Sequence, residues 1–389
     1  MHTGRYVLAQ VLDLVHRQTL NRLVERYRAE SRVRHFGCRQ QFLCMAFAQL
    51  TGRQSLRDIA TCLNARPEAL YHLGFRQPIA RSTLADANEE RDWRLWEDLT
   101  QGLIRKARAL YAGEDLGTDL ANTVYALDST TIDLSLTLFP WADFRRTKAG
   151  IKLHTQLDLR GPIPTCIAIG PARPHDVLWL DQLGFEAGAF YVLDRGYVDF
   201  ARLSRIATAG AFFVTRAKHN LRFCRHQSLP VNYVAGVRSD QIGRPRGARV
   251  RAAFPWPLRK VRYFDAETAR DLVFLTNHLE LPAVTVARLY RLRWQVELFF
   301  RWIKGHLRLQ HYFGTSANAV KTQIWIAMAV YLLVAILHKQ LRLPGELHRT
   351  LQLLSVHPFE KVPLHELLAD PVFKPLDDHS SNQLTLCGL

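Results

Sequence analysis

Three carboxylates stand out by the company they keep. Asp128 closes the β-rich run Thr123-Val-Tyr-Ala-Leu-Asp128, and Asp194 closes a second, Ala189-Phe-Tyr-Val-Leu-Asp194. Glu297 lies in a helical stretch between Arg293 and Lys304, with Tyr290 two turns before it. At about 100° per residue, Tyr290, Arg293, Glu297 and Lys304 fall within about a 60° arc of one helix face. Leu292, Val296, Phe299, Phe300 and Ile303 form the adjoining apolar stripe. The helix therefore packs by one face and presents a carboxylate, two cations and a phenol from the next. Clustered carboxylates supply the oxygen ligands that Mg2+ and Mn2+ require. Two such ions activate an oxygen nucleophile and stabilise a leaving oxygen in phosphodiester displacement. The neighbouring cations suit phosphate. Each acid alone has a plainer reading: an Asp after a strand is commonly a turn or cap residue, and a Glu between Arg and Lys a surface ion pair. Only the combination describes a site. Among the other acids, Asp133 begins the next segment, Asp158 precedes an Arg-Gly-Pro turn, Asp176 and Asp181 are helix positions, and Asp199 is an N-cap. None is read as a ligand.

The elements that must position these residues follow from periodicity. The first hundred or so residues read as successive helices, over 7–27, 40–50, after Ser55 as an N-cap, after Pro67, after Ser82 as a second cap, and over 93–111. Short helices with Arg at their ends fit a helix-turn-helix type of DNA reader or an ordinary bundle. Near Asn122 the period changes. Strands are predicted at 123–128, 151–159, 163–169, 189–194 and 211–215, with helices at 175–183 and 200–209. Strands first, with a hairpin, then alternation with helices, give an α/β fold: a mixed sheet with helices on both faces, in a ribonuclease-H-like arrangement. If the strands carrying Asp128 and Asp194 are neighbours, both carboxylates meet at one end of the sheet, where open α/β sheets place their sites. Residues 218–281 are basic, with short predicted strands at 249–253, 259–264 and 271–276. Between Phe200 and Phe264 the only acid is Asp240, against fourteen Arg and Lys that include Arg246, Arg249, Arg251 and Arg259. Pro282 opens a long helix to about residue 306, and a second runs over 317–341 and packs on the sheet. The expected organisation is a helical N-terminal DNA-binding domain (1–115), a core in two parts (116–217 and 282–345), a basic β-rich insertion (218–281) and a C-terminal tail (346–389).

Charge narrows the partners. Lys and Arg number 52 against 35 Asp and Glu, a net +17, which suits a polyanion. An anionic membrane surface is the rival. The N-terminus shows no signal-peptide pattern, and the apolar run at 324–337 is short for a bilayer and reads as a buried core helix. The six cysteines (Cys38, Cys44, Cys62, Cys166, Cys224, Cys387) show no zinc or disulfide spacing, as in a reducing cytoplasm. No P-loop is present.

These residues resemble a known family. The spacing Y-x2-R-x3-E-x6-K at Tyr290, Arg293, Glu297 and Lys304 is similar to the signature of the "insertion sequence four" group of bacterial DDE transposases. Leu127-Asp-Ser-Thr-Thr-Ile-Asp133 resembles the block around that group's first catalytic Asp, and Val192-Leu-Asp-Arg-Gly-Tyr197 the block around its second. A segment over 47–59 also resembles its amino-terminal region, and the likeness extends over about 36–341. The resemblance implies that Asp128, Asp194 and Glu297 are catalytic and hold two Mg2+ ions, for which Mn2+ can substitute. It implies that Tyr290, Arg293 and Lys304 hold phosphates near the cleaved end. It further implies a ribonuclease-H-like core with a β-rich insertion; the charge of residues 218–281, with Arg246, Arg249 and Arg251, itself reads as a contact with the DNA backbone, the plainer reading being a solvated basic loop region. The expected partner is double-stranded DNA, as terminal inverted repeats and target, bound by a homodimer on paired ends in the bacterial cytoplasm. Excision in relatives passes through a hairpin, with a Trp of the insertion stacked on a flipped base. Trp256, between Pro255 and Pro257, is the only Trp inside the insertion here. The alternative is a catalytically silent DNA-binding regulator of the same fold, but a binding-only protein needs none of the three carboxylates.

Overall fold

The computed structural model describes residues 4–31, 33–117, 120–145, 148–306 and 312–369. The last twenty residues of the tail expected at 346–389 lie outside the described residues. The chain begins with helices α1 (Val7–Leu12), α2 (Arg17–Arg26), α3 (Cys38–Thr51), α4 (Leu56–Asn64), α5 (Pro67–His72), α6 (Arg81–Glu90) and α7 (Arg94–Tyr111). Ser55 caps α4 by accepting from the Asp58 amide. Ser82 caps nothing, because α6 has already begun at Arg81. The stretch 7–27 is two helices rather than one.

Strands follow: β1 (Val124–Leu134), β2 (Asp143–Arg145), β3 (Lys148–Asp158), β4 (Ile163–Pro171) and β5 (Phe190–Leu193). Then come α8 (Phe200–Thr208), β6 (Phe212–Arg216), β7 (Phe223–Ser228), β8 (Val237–Pro245), α9 (Ala248–Ala253), β9 (Leu258–Asp265) and β10 (Arg270–Thr276). The sheet runs β4-β3-β1-β5-β6-β10-β9-β8-β7, with β2 also paired to β3. Strands β1, β5 and β6 are mutually parallel, and β3 lies antiparallel to β1. This mixed order is the ribonuclease-H-like arrangement expected from the sequence. Strand β5 is buried on both faces, as its unbroken Phe-Tyr-Val-Leu run requires.

The basic segment 218–281 continues this sheet, since β10 pairs antiparallel with β6 and carries β9, β8 and β7 outward. Residues 249–253, read as a strand, form helix α9, which packs against α8. Their valine and arginines fit either period, and a six-residue window cannot decide between them. The stretch 175–183 is a 3-10 helix over Asp176–Gln182.

Helices α10 (Ala283–Leu292), α11 (Trp294–His306), α12 (Ala317–Gln340), α13 (Leu347–Val356) and α14 (Leu364–Leu367) complete the fold. The single helix expected over 282–306 is divided at Arg293. Helix α12 packs chiefly against α7, α3, α6 and α13 rather than on the sheet. It is apolar all round because it is enclosed all round. Its 24 residues are long and apolar enough to cross a membrane, yet 94% of its apolar window is buried inside the protein. Through α12 the core of the N-terminal helices is continuous with that beneath α10 and α11. The opposite face of the sheet has its own core, where Tyr125, Leu127, Tyr191 and Phe213 meet α8 and the 3-10 helix. The segment after α13 returns to the start of the chain: the Val7 and Leu8 amides donate to the Glu360 and Pro358 carbonyls.

Candidate active site

The pairing of β1 with β5 sets the site. Leu127 is in register with Leu193, so the next residues, Asp128 and Asp194, stand side by side at the point where β5 ends and β1 runs on. Asp128 does not end its strand, as the sequence suggested. It is the fifth of eleven residues in β1, which runs on to Leu134 against β3 and takes Asp133 with it. The pattern Ser-Thr-Thr-Ile-Asp lacks the apolar alternation that would have revealed the extension. Asp194 leaves β5 and caps the 3-10 turn Arg195–Tyr197, its carboxylate accepting from the Gly196 amide.

Helices α10 and α11 bring the other groups across. No Gly or Pro interrupts residues 283–304. The division at Arg293 comes instead from tightening of the backbone: the Arg293 amide bonds the Tyr290 carbonyl and the Val296 amide the Arg293 carbonyl. Such a tight turn within a helix is a common mark of a functional position. It sets Arg293 between two carboxylates. One guanidinium nitrogen donates to Asp128 Oδ2 at 3.0 Å and another to Glu297 Oε1 at 2.6 Å. The Tyr290 hydroxyl donates to Asp194 Oδ1 at 3.2 Å. Lys304 does not reach the carboxylates; its ammonium donates to the Thr131 carbonyl of β1 at 2.8 Å. Thus Asp128, Asp194, Glu297, Tyr290 and Arg293 form one connected cluster, with Lys304 a step further along β1.

Burial and charge shape its chemistry. The Asp128 carboxyl is pushed up to about 6, first by burial and then by the charges of Asp194 and Glu297, against the pull of the Ser129 amide and Arg293. Burial likewise raises the Tyr290 phenol and lowers the Lys304 ammonium. Burial opposes the charge on Arg293, but Tyr290, Glu297 and Asp128 more than offset it and its pKa is raised. A measurable consequence follows for the metal-free protein. From 3.8, the ordinary Asp value, up to about 6, the folded protein holds a proton on Asp128 that the unfolded chain has lost. This group's contribution to stability therefore falls as pH rises through that window and is flat above it. Thermal denaturation from pH 4 to 7 in EDTA is expected to show that decline in the wild type and a flatter profile in Asp128→Asn; identical profiles would refute the assignment.

Among the described residues no three His, Cys, Asp or Glu side chains converge closely enough to hold a metal ion. The Arg293 guanidinium stands between Asp128 and Glu297 instead. The donor set still fits a hard divalent cation: it is all carboxylate oxygen, and Asp194 and Glu297 are near enough to Asp128 to raise its pKa.

Sequence reasoning missed the support behind Asp128. On the reverse face of β1, the Ser129 hydroxyl donates to Asp176 at 2.7 Å, while Lys152 pairs with Asp176 and donates to the Pro174 carbonyl. Strand alternation, which puts Ser129 opposite Asp128, was the available signal. Among the described residues, Arg246, Arg249 and Arg251 make no hydrogen bond or ion pair with the cluster. Arg246 and Arg249 line a cleft of about 530 Å³ with Lys218 and Arg222, against residues 198–201 that follow the Asp194 turn. Arg251 is exposed on α9. Trp256 is 39% exposed and packs edge-on against Phe254. Arg259, counted from sequence among the basic residues facing DNA, is turned inward in a buried ion pair with Asp240.

The sheet order, with two aspartates at adjacent parallel strands and a glutamate brought over them by a helix, defines a ribonuclease-H-like protein with an Asp-Asp-Glu arrangement. Residues 120–333 match the family model described as the transposase DDE domain, more than half of the chain, and the chain belongs to that family. Residues 3–76 match a model described only as a domain of unknown function. A Sinorhizobium fredii protein named as a transposase is 36% identical over 220 residues, 54% of this chain and 59% of the relative. A Geobacillus stearothermophilus protein, named as the transposase of an insertion sequence element, is 31% identical over 221 residues, 55% of this chain and 56% of the relative. A Synechocystis protein with a similar description is 23% identical over 296 residues, 73% and 76% of the two chains. The chain thus spans a little over half the length of the first two curated relatives.

Proposed function

We propose that this protein is a metal-dependent transposase that cuts DNA at the terminal inverted repeats of an insertion sequence and joins the freed ends to target DNA. The observation that carries this reading is the gathering of Asp128, Asp194 and Glu297, from β1, the end of β5 and α11, around Arg293 and Tyr290. In this reading the three carboxylates hold two Mg2+ or Mn2+ ions. Bound there, such ions lower the cost of charge on the attacking and leaving oxygens. Arg293, released from its carboxylate pairs, holds a phosphate oxygen together with Lys304, and Tyr290 keeps Asp194 oriented through its hydroxyl. A water oxygen forms a new P–O bond as the P–O3′ bond breaks, which frees a 3′-hydroxyl. That hydroxyl then makes the same displacement on target DNA. One phosphodiester replaces another in this second step, so no nucleotide cofactor is consumed. Residues 1–115 and the basic extension with Arg246, Arg249 and Arg251 contact the DNA backbone, and a homodimer holds paired ends in the bacterial cytoplasm.

The test is a labelled duplex that carries the element's terminal repeat and flanking DNA, incubated with the full chain in Mg2+ or in EDTA. Metal-dependent cutting at the repeat boundary is the expected result. Binding without cutting in both Mg2+ and Mn2+ would return the protein to the regulatory reading. Trp256→Ala is expected to impair hairpin formation at the element end more than nicking, and equal loss of both would remove Trp256 from the base-stacking role.

A further inference from the structure

A second concentration of unspent positive charge lies where residues 358–361 pack against the residues around the start of α1. A cavity of about 650 Å³ is bounded by the residues before α1, the starts of α2 and α3, the turn after α5, and Lys361. Arg5, Arg17, Arg39, His72 and Lys361 line it, and no Asp or Glu does. Arg5 is already paired with Asp13. Arg17 and Arg39 make no ion pair or side-chain hydrogen bond among the described residues, and Lys361 only rests its ammonium 5.1 Å over the Tyr6 ring. Arg39 is half buried, and burial together with Arg17 and Arg5 lowers its pKa against the pull of Asp13. Its guanidinium is thus held partly out of water beside like charges, and the nearby anion, Asp13, is already paired with Arg5. Another cavity of the N-terminal helices sets Asp86, Glu90 and Asp92 against Arg28, Arg34, Arg76 and Arg91, so its charges nearly balance.

Converging cations left unpaired in the free protein are what a polyanion site requires. We propose that this pocket binds phosphates of a DNA backbone through Arg17, Arg39 and Lys361, at a station separate from the catalytic carboxylates. It rests on the transposase reading only in taking DNA as the polyanion. Arg17 and Lys361 are exposed and Arg39 is half buried, so the pocket can be reached by a strand passing over the surface. None of its residues belongs to the elements that carry the triad. The site also gives the return of the C-terminal segment a role, since Lys361 lies beside the backbone bonds that join residues 358–360 to α1.

The experiment measures binding of the full chain to a fluorescent 30-base-pair duplex by anisotropy, in EDTA, across a KCl series. Neutralising one phosphate-binding cation is expected to reduce the slope of log affinity against log salt by about 0.9. An Arg17→Gln/Arg39→Gln/Lys361→Gln variant should therefore lose roughly two to three from that slope and bind at least tenfold more weakly near 0.1 M salt. Arg39→Lys, which keeps the charge, should retain most of the slope, and Arg342→Gln, exposed beyond α12 and outside both the pocket and residues 1–115, should lose none beyond the general effect of one charge. Circular dichroism melts identify any variant that is merely unfolded, and the exposed Arg17→Gln/Lys361→Gln pair then carries the test. Wild-type slope in the triple variant would overturn the proposal while leaving the catalytic reading intact. A thermal shift with inorganic phosphate that disappears in the triple variant, without any change in the DNA slope, would overturn the DNA assignment in favour of a free anion. Failure of the wild type to bind duplex at all would overturn both readings.

Discussion

Glu297→Gln is expected to bind a terminal-repeat duplex as the wild type does and to cut it on the order of a hundredfold more slowly, or worse. Loss of groups that merely support metal ligands typically costs 10- to 100-fold in metal affinity or activity, and in the proposed function Glu297 is a ligand itself. The substitution is well confined. Gln matches Glu in shape and helix propensity, so α11 keeps its packing through Val296, Phe299, Phe300 and Ile303. The amide oxygen can still accept from Arg293, which now bonds Glu297 at 2.6 Å. What disappears is one negative charge from a site whose purpose is to concentrate it. Single-turnover cleavage in Mg2+, set beside anisotropy in EDTA, separates the two effects. A rate within a few-fold of wild type would remove Glu297 from the metal site. Weakened binding in EDTA, equal to the loss in rate, would make it a DNA contact instead.

The parts of this fold legible in the sequence were those whose period and boundaries agree. Strand β5, helix α8 with its Asp199 cap, and helix α12 fall within a few residues of expectation because apolar pattern and punctuation coincide there. The placement of Asp128 beside Asp194 needed one further supposition, that their strands are neighbours, and parallel pairing of β1 with β5 supplies it. The extension of β1 beyond Asp128 was hidden because Ser129, Thr130 and Thr131 are a polar, half-buried run with no apolar alternation to mark a strand. The division at Arg293 was hidden for a different reason. It arises from tertiary demand, the meeting of Arg293 with Asp128 and Glu297, and not from a residue that breaks helices. An arc computed for a straight helix put Lys304 beside Glu297, but the real chain carries Lys304 over Thr131. Net charge was legible in total but not in detail. Arg202 and Arg205 both engage Asp181, Arg262 engages Asp271, and Arg259 is internal. A count of basic residues therefore overstates the surface left for a polyanion.

Arg259→Ala is expected to destabilise the protein by about 3–5 kcal/mol, the scale set by removing one partner of a buried ion pair. Arg259 and Asp240 are 4% and 3% exposed, so water cannot replace the missing partner. The pair is doubly bonded between β8 and β9, with Arg259 Nε on Asp240 Oδ1 at 2.8 Å and a terminal nitrogen on Oδ2 at 2.6 Å. The remaining guanidinium nitrogen donates to the carbonyls of Leu279 and Leu281. Arg259 therefore ties the outer strands to the turn that leads into α10, the helix that carries Tyr290 and ends beside Arg293. Truncation leaves a carboxylate and two carbonyls buried and unmatched. Urea denaturation in EDTA measures the loss, and a change below about 1 kcal/mol would show that the pair opens to solvent. The same variant separates structure from DNA binding. Removing a surface arginine from a DNA-binding face lowers the salt dependence of binding and leaves stability nearly unchanged. Arg259→Ala should do the reverse, with α10 less firmly seated and cleavage falling further than duplex affinity.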